Sequence, residues 1–215
     1  MKIPYRKSPI TISVIVICVV MYVYTFSKYG GRITALQALQ VGALHPSLVI
    51  EWNQYYRLFT ANILHFDVLH IFFNCYSLYT IGTMMGLEAI LKTKRYLFII
   101  IISMLFTTGI PCLLYGIFNI GGNSVMAGLS GVVFGLIGAM LALALYFRGQ
   151  YLQVFKQIYQ SVILMLLISF IVPSISLVGH VSGMIGGFVA MFIIIKWMPI
   201  ISWKLRKHKD EPLVH

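Results

Sequence analysis

The chain has 215 residues, of which 60% are hydrophobic and only 10% are charged, and its mean hydropathy is +0.91. Soluble domains carry roughly 25% charged residues, so this composition excludes a water-soluble globular protein and predicts a single membrane domain over residues 1–215. The net charge of +11 could indicate nucleic-acid binding, but the placement of the basic residues indicates membrane orientation instead.

Apolar stretches of about 20 residues predict membrane-spanning helices. There are six of them, at approximately 9–26, 62–83, 96–118, 125–147, 158–176 and 178–199. The first begins like a signal peptide, but no small-residue cleavage site follows it, so we interpret it as a retained anchor. Pro173 marks the turn between the last two. The predicted fold class is an all-α polytopic membrane protein, a bundle of six transmembrane helices.

The basic residues predict that both ends of the chain are cytoplasmic. If the N-terminus is inside, all but three of the 16 Lys and Arg residues fall on the cytoplasmic side. The three exceptions are Lys28, Arg32 and Arg57. This is the positive-inside distribution of membrane proteins. We therefore expect the basic residues to interact with the lipid bilayer and not with nucleic acid.

Residues 27–61 form the only sizeable segment predicted to lie outside the membrane. The stretch "ITALQALQVGALH" has apolar residues at helical spacing with glutamines on the other side, which predicts a short amphipathic helix at the interface. Trp52, Tyr55 and Tyr56 have rings that favour the headgroup level, and Arg57 stands just before the second span. An ordinary anchored loop explains most of these features, but not the size of the segment.

Polar side chains inside the spans are candidates for function because burying them in lipid is costly. Each one alone has a structural interpretation, such as helix packing for a serine. Topology joins them, since the second, fourth and sixth spans all enter the membrane from outside. We expect Ser130 to lie six residues into its span, about 9 Å deep at 1.5 Å per residue. The others at this depth are His70, Asn74 and His180, while His65 is expected to point elsewhere.

A hydroxyl and an imidazole at one depth predict nucleophilic catalysis, with Ser130 as nucleophile and His180 as base. No acid is placed to complete a triad, so we expect a dyad whose histidine is held by packing, with Phe134 as the ring stacked on it. Glycines four residues apart on the fourth and sixth spans let helix backbones approach closely. These pairs are Gly131 with Gly135 and Gly183 with Gly187.

Acyl transfer also needs hydrogen-bond donors for the oxyanion. We expect these from Asn74, from His70 and from the backbone N–H of Ser130 or Leu129 in the first helical turn. The alternative enzyme class is a metal hydrolase, whose metal ion needs three or four protein ligands. Its candidates lack an HExxH pattern; they are His65, Asp67, His70 and His180. We therefore expect no metal and no cofactor.

Four motifs resemble the rhomboid family of intramembrane serine proteases. They are "YRLFTANILH", "HFDVLHIFFN", "GLSG" (Gly128–Gly131) and "GHVSGMIGG", in the family's order and spacing, and the match extends over nearly the whole chain. The resemblance implies hydrolysis of a peptide bond in or near the membrane segment of a substrate. It also implies Ser130 as nucleophile, His180 as base, His70 and Asn74 at the oxyanion, and His65 as a loop-supporting residue.

The chain departs from the family pattern at two positions. Tyr56-Arg57 stands where the family usually has Trp-Arg, and Phe134 stands where many members have tyrosine. Two other classes remain open. A non-catalytic rhomboid-like protein would bind membrane clients but lack the serine or the histidine, and a small transporter would need ionisable groups at mid-bilayer. The expected partners are transmembrane substrates, and the expected location is a prokaryotic plasma membrane, crossed several times.

Overall fold

The structure is a computed structural model that describes residues 8–172 and 175–197. Its α-helices are α1 (Pro9–Tyr29), α2 (Ala35–Gln40), α3 (Pro46–Ile50), α4 (Arg57–Thr60), α5 (Val68–Tyr79), α6 (Leu87–Leu91), α7 (Thr93–Phe118), α8 (Ser130–Phe147), α9 (Gly149–Ile171) and α10 (Leu177–Trp197). Of these, α1, α7, α8, α9 and α10 are long and apolar enough to cross a membrane. The chain is therefore an all-α membrane protein with five candidate spans among the described residues.

The second predicted span, 62–83, corresponds to a shorter helix than expected. Helix α5 has 12 residues and is continued by a π-helical turn at Thr80–Met84. Residues 61–63 before it form a 3₁₀ turn. The turn at Pro173 and the basic residues at both ends of the chain lie outside the described residues, so the predicted orientation stays a prediction.

The fourth span begins later than predicted, at Ser130 instead of 125. Leu44 and Met126 exchange backbone hydrogen bonds of 2.8 and 3.0 Å, and Gly128 has a φ of +130°. Both features keep the backbone out of the helix until Leu129. The expectation that Ser130 lies six residues into a helix was therefore wrong, because it is the first residue of α8.

The fifth span begins earlier than predicted, at Gly149 instead of 158. The segment 149–158 contains several polar side chains, which are Gln150, Gln153, Lys156 and Gln157. A search for continuous apolar residues leaves such a segment out, although it continues the same helix.

Helix α8 is the centre of the molecule, and most of its residues are buried. Its closest neighbour is α10. An ideal Cβ on Gly183 would overlap the carbonyl of Gly131, and one on Gly187 would overlap the carbonyl of Gly135. The two backbones are thus in direct contact along this seam, as the predicted glycine pairs require.

The external segment is held in place by Arg57, whose side chain is buried. Its guanidinium donates to the backbone carbonyls of Leu39 and Ala43 at 2.9 and 2.7 Å. These carbonyls lie at the end of the predicted short helix, α2, and just after it; this helix begins with a capping box formed by Thr34 and Gln37. Because Arg57 satisfies both carbonyls, it connects the end of α2 with α4, the helix that Arg57 begins.

Candidate active site

Ser130 and His180 come together where the first turns of α8 and α10 meet. The Ser130 Oγ lies 2.8 Å from the His180 Nε2. The His180 side chain is buried, with 7% of its surface exposed. Because glycines line the α8–α10 seam, the two helices are close enough for short side chains to touch. This contact is the one that removal of a proton from the serine by the histidine requires.

Two further side chains hold the imidazole of His180. The Phe134 ring is stacked on it, with ring centroids 4.4 Å apart and planes 20° apart, so the stacking expected from the sequence is present. The Ser169 Oγ of α9 lies 2.8 Å from the His180 Nδ1. The histidine is therefore held on one face and at both nitrogens. No carboxylate of a described residue is bonded to it; the Asp67 carboxylate caps α5 instead.

Ser169 was not among the residues predicted from the sequence. A single serine in an apolar run has no motif around it, and its usual role is a bond to its own backbone. Ser169 and Val162 are seven residues apart and share a helix face, but only the structure shows that this face is the buried one. Both residues are buried on α9, most of which is exposed.

His70 and Asn74 lie one turn apart on α5 and face the segment before α8. The Phe66 N–H donates to the His70 Nδ1 at 3.4 Å, so neutral His70 carries its proton on Nε2. The Asn74 Nδ2 donates one hydrogen to the His70 carbonyl at 3.0 Å, which leaves its second hydrogen for another acceptor. An ideal Cβ on Gly128 would lie 2.7 Å from the His70 Nε2 and 3.8 Å from the Asn74 Nδ2.

The backbone at the start of α8 differs from expectation at Leu129. Its N–H donates to the His65 Nε2 at 3.4 Å and is therefore engaged elsewhere than at an oxyanion. The His65 ring also makes an edge contact with the His70 ring, with centroids 5.0 Å apart, so the expectation that it points elsewhere was wrong. Ser130 is the first helical residue, where a backbone N–H has no acceptor within the helix.

A metal centre is the site that the alternative hydrolase would need. Among residues 8–172 and 175–197, no three His, Cys, Asp or Glu side chains are placed to share an ion. In this part of the chain, His65, His70 and His180 instead make the polar contacts described above.

Comparisons with known proteins give matches over most of the chain. The family model described as the Rhomboid domain matches residues 52–197. The chain is 31% identical over 162 residues to Rhomboid protease GluP of Bacillus subtilis, which covers 75% of this chain and 30% of that protein. It is 32% identical over 164 residues to RHOMBOID-like protein 1 of Arabidopsis thaliana (74% and 40%). It is 32% identical over 133 residues to Rhomboid protease GlpG of Yersinia pestis (62% and 42%). The chain spans less than half the length of these relatives.

Proposed function

This chain belongs to the rhomboid family of proteases, and on that premise we propose that it is an intramembrane serine endopeptidase. Its proposed reaction is hydrolysis of a peptide bond in or near the transmembrane segment of a membrane protein. The observation that carries the proposal is the 2.8 Å contact between the Ser130 Oγ and the His180 Nε2. A rhomboid-like protein that only binds clients has no need of this pair.

The proposed reaction begins with attack of the Ser130 Oγ on the carbonyl carbon of the scissile bond. The serine proton passes to the His180 Nε2, and the carbonyl electron pair moves to oxygen. The carbon–nitrogen bond then breaks, and the same proton passes from Nε2 to the leaving nitrogen. Water, activated by His180, hydrolyses the acyl-serine and restores both side chains.

The oxyanion formed in each step needs donors that are in place beforehand. The proposed donors are the His70 Nε2–H, the second Nδ2–H of Asn74 and the backbone N–H of Ser130. Their support is the direction of both side-chain nitrogens toward Gly128, two residues before the nucleophile. Leu129 is not retained as a donor because its N–H binds His65.

We propose six membrane spans, which are the five candidates and, in the place of the predicted second span, α5 together with its π-helical turn. These elements have 12 and 5 residues, and at 1.5 Å per residue they extend about 25 Å, close to the thickness of a hydrocarbon core. Both ends of the chain would then be cytoplasmic and the site would open toward the outer face, in a prokaryotic plasma membrane. The basic residues support this orientation.

The proposed substrates are transmembrane segments that unwind easily. A peptide bond within a stable helix is shielded by the helix's own hydrogen bonds, and the enzyme must expose it before attack. Glycine and proline weaken a helix by about 1 and 3 kcal/mol per residue relative to alanine. Segments that carry them near the outer face should therefore be cleaved in preference to uninterrupted leucine-rich helices.

The test is cleavage of a fluorogenic transmembrane substrate by the purified protein in liposomes. Wild type is compared with Ser130→Ala and His180→Ala, and either change should lower the rate by at least about 10³-fold. A fluorophosphonate probe should label Ser130 in wild type and nothing in Ser130→Ala. Equal cleavage by all three proteins, or no cleavage and no labelling by folded wild type, would refute the proposal. The second result would favour client binding.

A further inference from the structure

Ser169 is a buried residue of α9 with two hydrogen-bond partners and only one proton. Its Oγ lies 2.7 Å from the carbonyl oxygen of Met165, one turn earlier on the same helix. It also lies 2.8 Å from the Nδ1 of His180 on α10. Only 4% of its surface is exposed, so water does not readily replace either partner.

The chemistry of these groups fixes which of them donates. A carbonyl oxygen can only accept, so the hydroxyl proton of Ser169 is used on Met165. The Ser169 Oγ must then accept, and the His180 Nδ1 must carry the hydrogen. A neutral imidazole has one N–H, and its Nε2 is therefore left with a lone pair. That nitrogen is the one 2.8 Å from the Ser130 Oγ.

We infer that Ser169 is a positioning residue that holds His180 in the tautomer able to take the Ser130 proton. The inference rests on the proposed function and deepens it. The hydrogen bonds run in one direction, from Ser130 to His180, from His180 to Ser169 and from Ser169 to Met165. When the Ser130 proton arrives on Nε2 during attack, the imidazolium keeps its Nδ1–H bond to Ser169. A neutral hydroxyl thus takes the orienting role that a carboxylate has in a triad.

The location of Ser169 on α9 also makes this arrangement depend on the position of that helix. The buried residues of α9 are Tyr151, Val162 and Ser169, while neighbours of Ser169 such as Ile168 and Phe170 are exposed. Phe134 contacts only the face of the imidazole, so stacking alone does not distinguish the two nitrogens. Among the described residues, Ser169 is the side chain that distinguishes the two nitrogens, because it contacts Nδ1.

The experiment compares wild type with Ser169→Ala, Ser169→Thr and a control, Ser161→Ala. Ser161 lies on the same helix and is exposed. Loss of one orienting hydrogen bond should lower kcat about fivefold to tenfold while KM stays unchanged. Threonine keeps the hydroxyl and should restore kcat, and the control should match wild type. If Ser169→Ala does not fold, Ser169→Cys keeps the size with a weaker acceptor and should show the same loss.

A second measurement reads the tautomer without relying on cleavage. Nitrogen-15 spectra of histidine-labelled protein distinguish Nδ1–H from Nε2–H, and the His180 signal is identified by its absence from His180→Ala. Wild type should show Nδ1–H, and Ser169→Ala should show a mixture. An unchanged spectrum together with unchanged kcat in a folded Ser169→Ala protein would overturn the inference. If wild type cleaves nothing but its tautomer still changes with Ser169, the proposed function fails and the positioning role stands.

Discussion

Gly128 shows how a single residue can define the shape of the candidate site. Its φ of +130° is a conformation that side chains disfavour. The position of its missing Cβ is the space that the His70 Nε2 and the Asn74 Nδ2 face. Glycine therefore satisfies the backbone conformation and lets the chain pass close to both nitrogens, two residues before Ser130.

Replacing Gly128 with alanine should abolish cleavage while leaving the protein folded. The added methyl group would fill the space in front of both donors, and blocking even one oxyanion donor lowers kcat by about 10²–10³-fold. The strained backbone should also lower the free energy of unfolding by about 1–3 kcal/mol. Turnover of the fluorogenic substrate and thermal unfolding measure the two effects.

The matched control is Gly30→Ala, which separates backbone strain from the contact that a methyl group on Gly128 would make with His70. Gly30 also has a positive φ, +87°, but no atom lies within 4 Å of the point that a Cβ would occupy there. This variant should lose stability and keep its activity. A folded Gly128→Ala protein that cleaves as fast as wild type would show that cleavage does not need the close approach of His70 and Asn74 to Gly128.

Residues in motifs were easier to predict than residues in plain helices. Ser130, His180 and Phe134 stood out because a polar group, a glycine pattern or a one-turn spacing marked each of them, and the structure brings all three together. Ser169 carries no such mark, since its partner is 11 residues away on the following helix, α10. Leu129 was assigned to the wrong contact because the start of α8 depends on the Leu44–Met126 pairing, which is remote in sequence.

At the scale of elements, the α8–α10 seam holds the site together. Backbone carbonyls of α8 occupy the places where Cβ atoms of Gly183 and Gly187 would be. Such contact leaves no side chain that could move aside, so the spacing of the two helices is fixed. Ser130 and His180 inherit that spacing, because each lies in the first turn of its helix.

Gly183→Ala should therefore reduce both stability and catalysis. The methyl group would meet the carbonyl of Gly131 and the Oγ1 of Thr107, and overpacking of this kind costs about 1–3 kcal/mol. Displacing the reacting groups by about 1 Å lowers the rate by about 10²-fold. Thermal unfolding and cleavage, measured on the same preparation, check both expectations.

Gly109→Ala is the control for this change. It also adds a methyl group to a glycine within a long helix, but nothing lies within 4 Å of that position. It should behave like wild type in both assays. If Gly183→Ala did so too, the seam would be looser than the structure indicates.

Hydropathy predicted that the long helices exist, but it did not predict the residues at which they begin and end. Apolar stretches predicted α1, α7 and α10 within a few residues. Helix α9 extends beyond its apolar part because hydrogen bonding continues through glutamine and lysine residues. Helix α5 is short because its beginning is set by an Asp67 cap, which accepts the His70 N–H at 2.9 Å, and not by the start of the apolar residues.

At the scale of the whole molecule, the site lies inside a bundle and the remaining faces are apolar. Side chains on α1, α5 and α9 are widely exposed; examples are Val20, Phe73 and Phe170. Lipid covers such faces in an integral membrane protein. The polar groups of the site are instead enclosed by α5, α8, α9 and α10, so the proposed hydrolysis needs a route by which water enters the bundle.

The proposed orientation can be tested by cysteine labelling in intact cells. In a background with Cys18, Cys75 and Cys112 replaced by alanine, Leu36→Cys should react with an impermeant maleimide from outside. Lys94→Cys should react only after the membrane is opened, because the positive-inside distribution places it in the cytoplasm. Both positions are exposed. The reverse labelling pattern would place the site at the inner face and refute the proposed orientation.

The glycine seam also constrains how such a protein can diverge over generations. Every replacement at Gly183 or Gly187 adds atoms where a neighbouring backbone already lies, so we expect such replacements to be selected against. We expect tolerated changes on the exposed sides of α5 and α9 and in the external segment instead. If the proposed function holds, new cleavage preferences would arise at these outer surfaces, while the contact between Ser130 and His180 is kept.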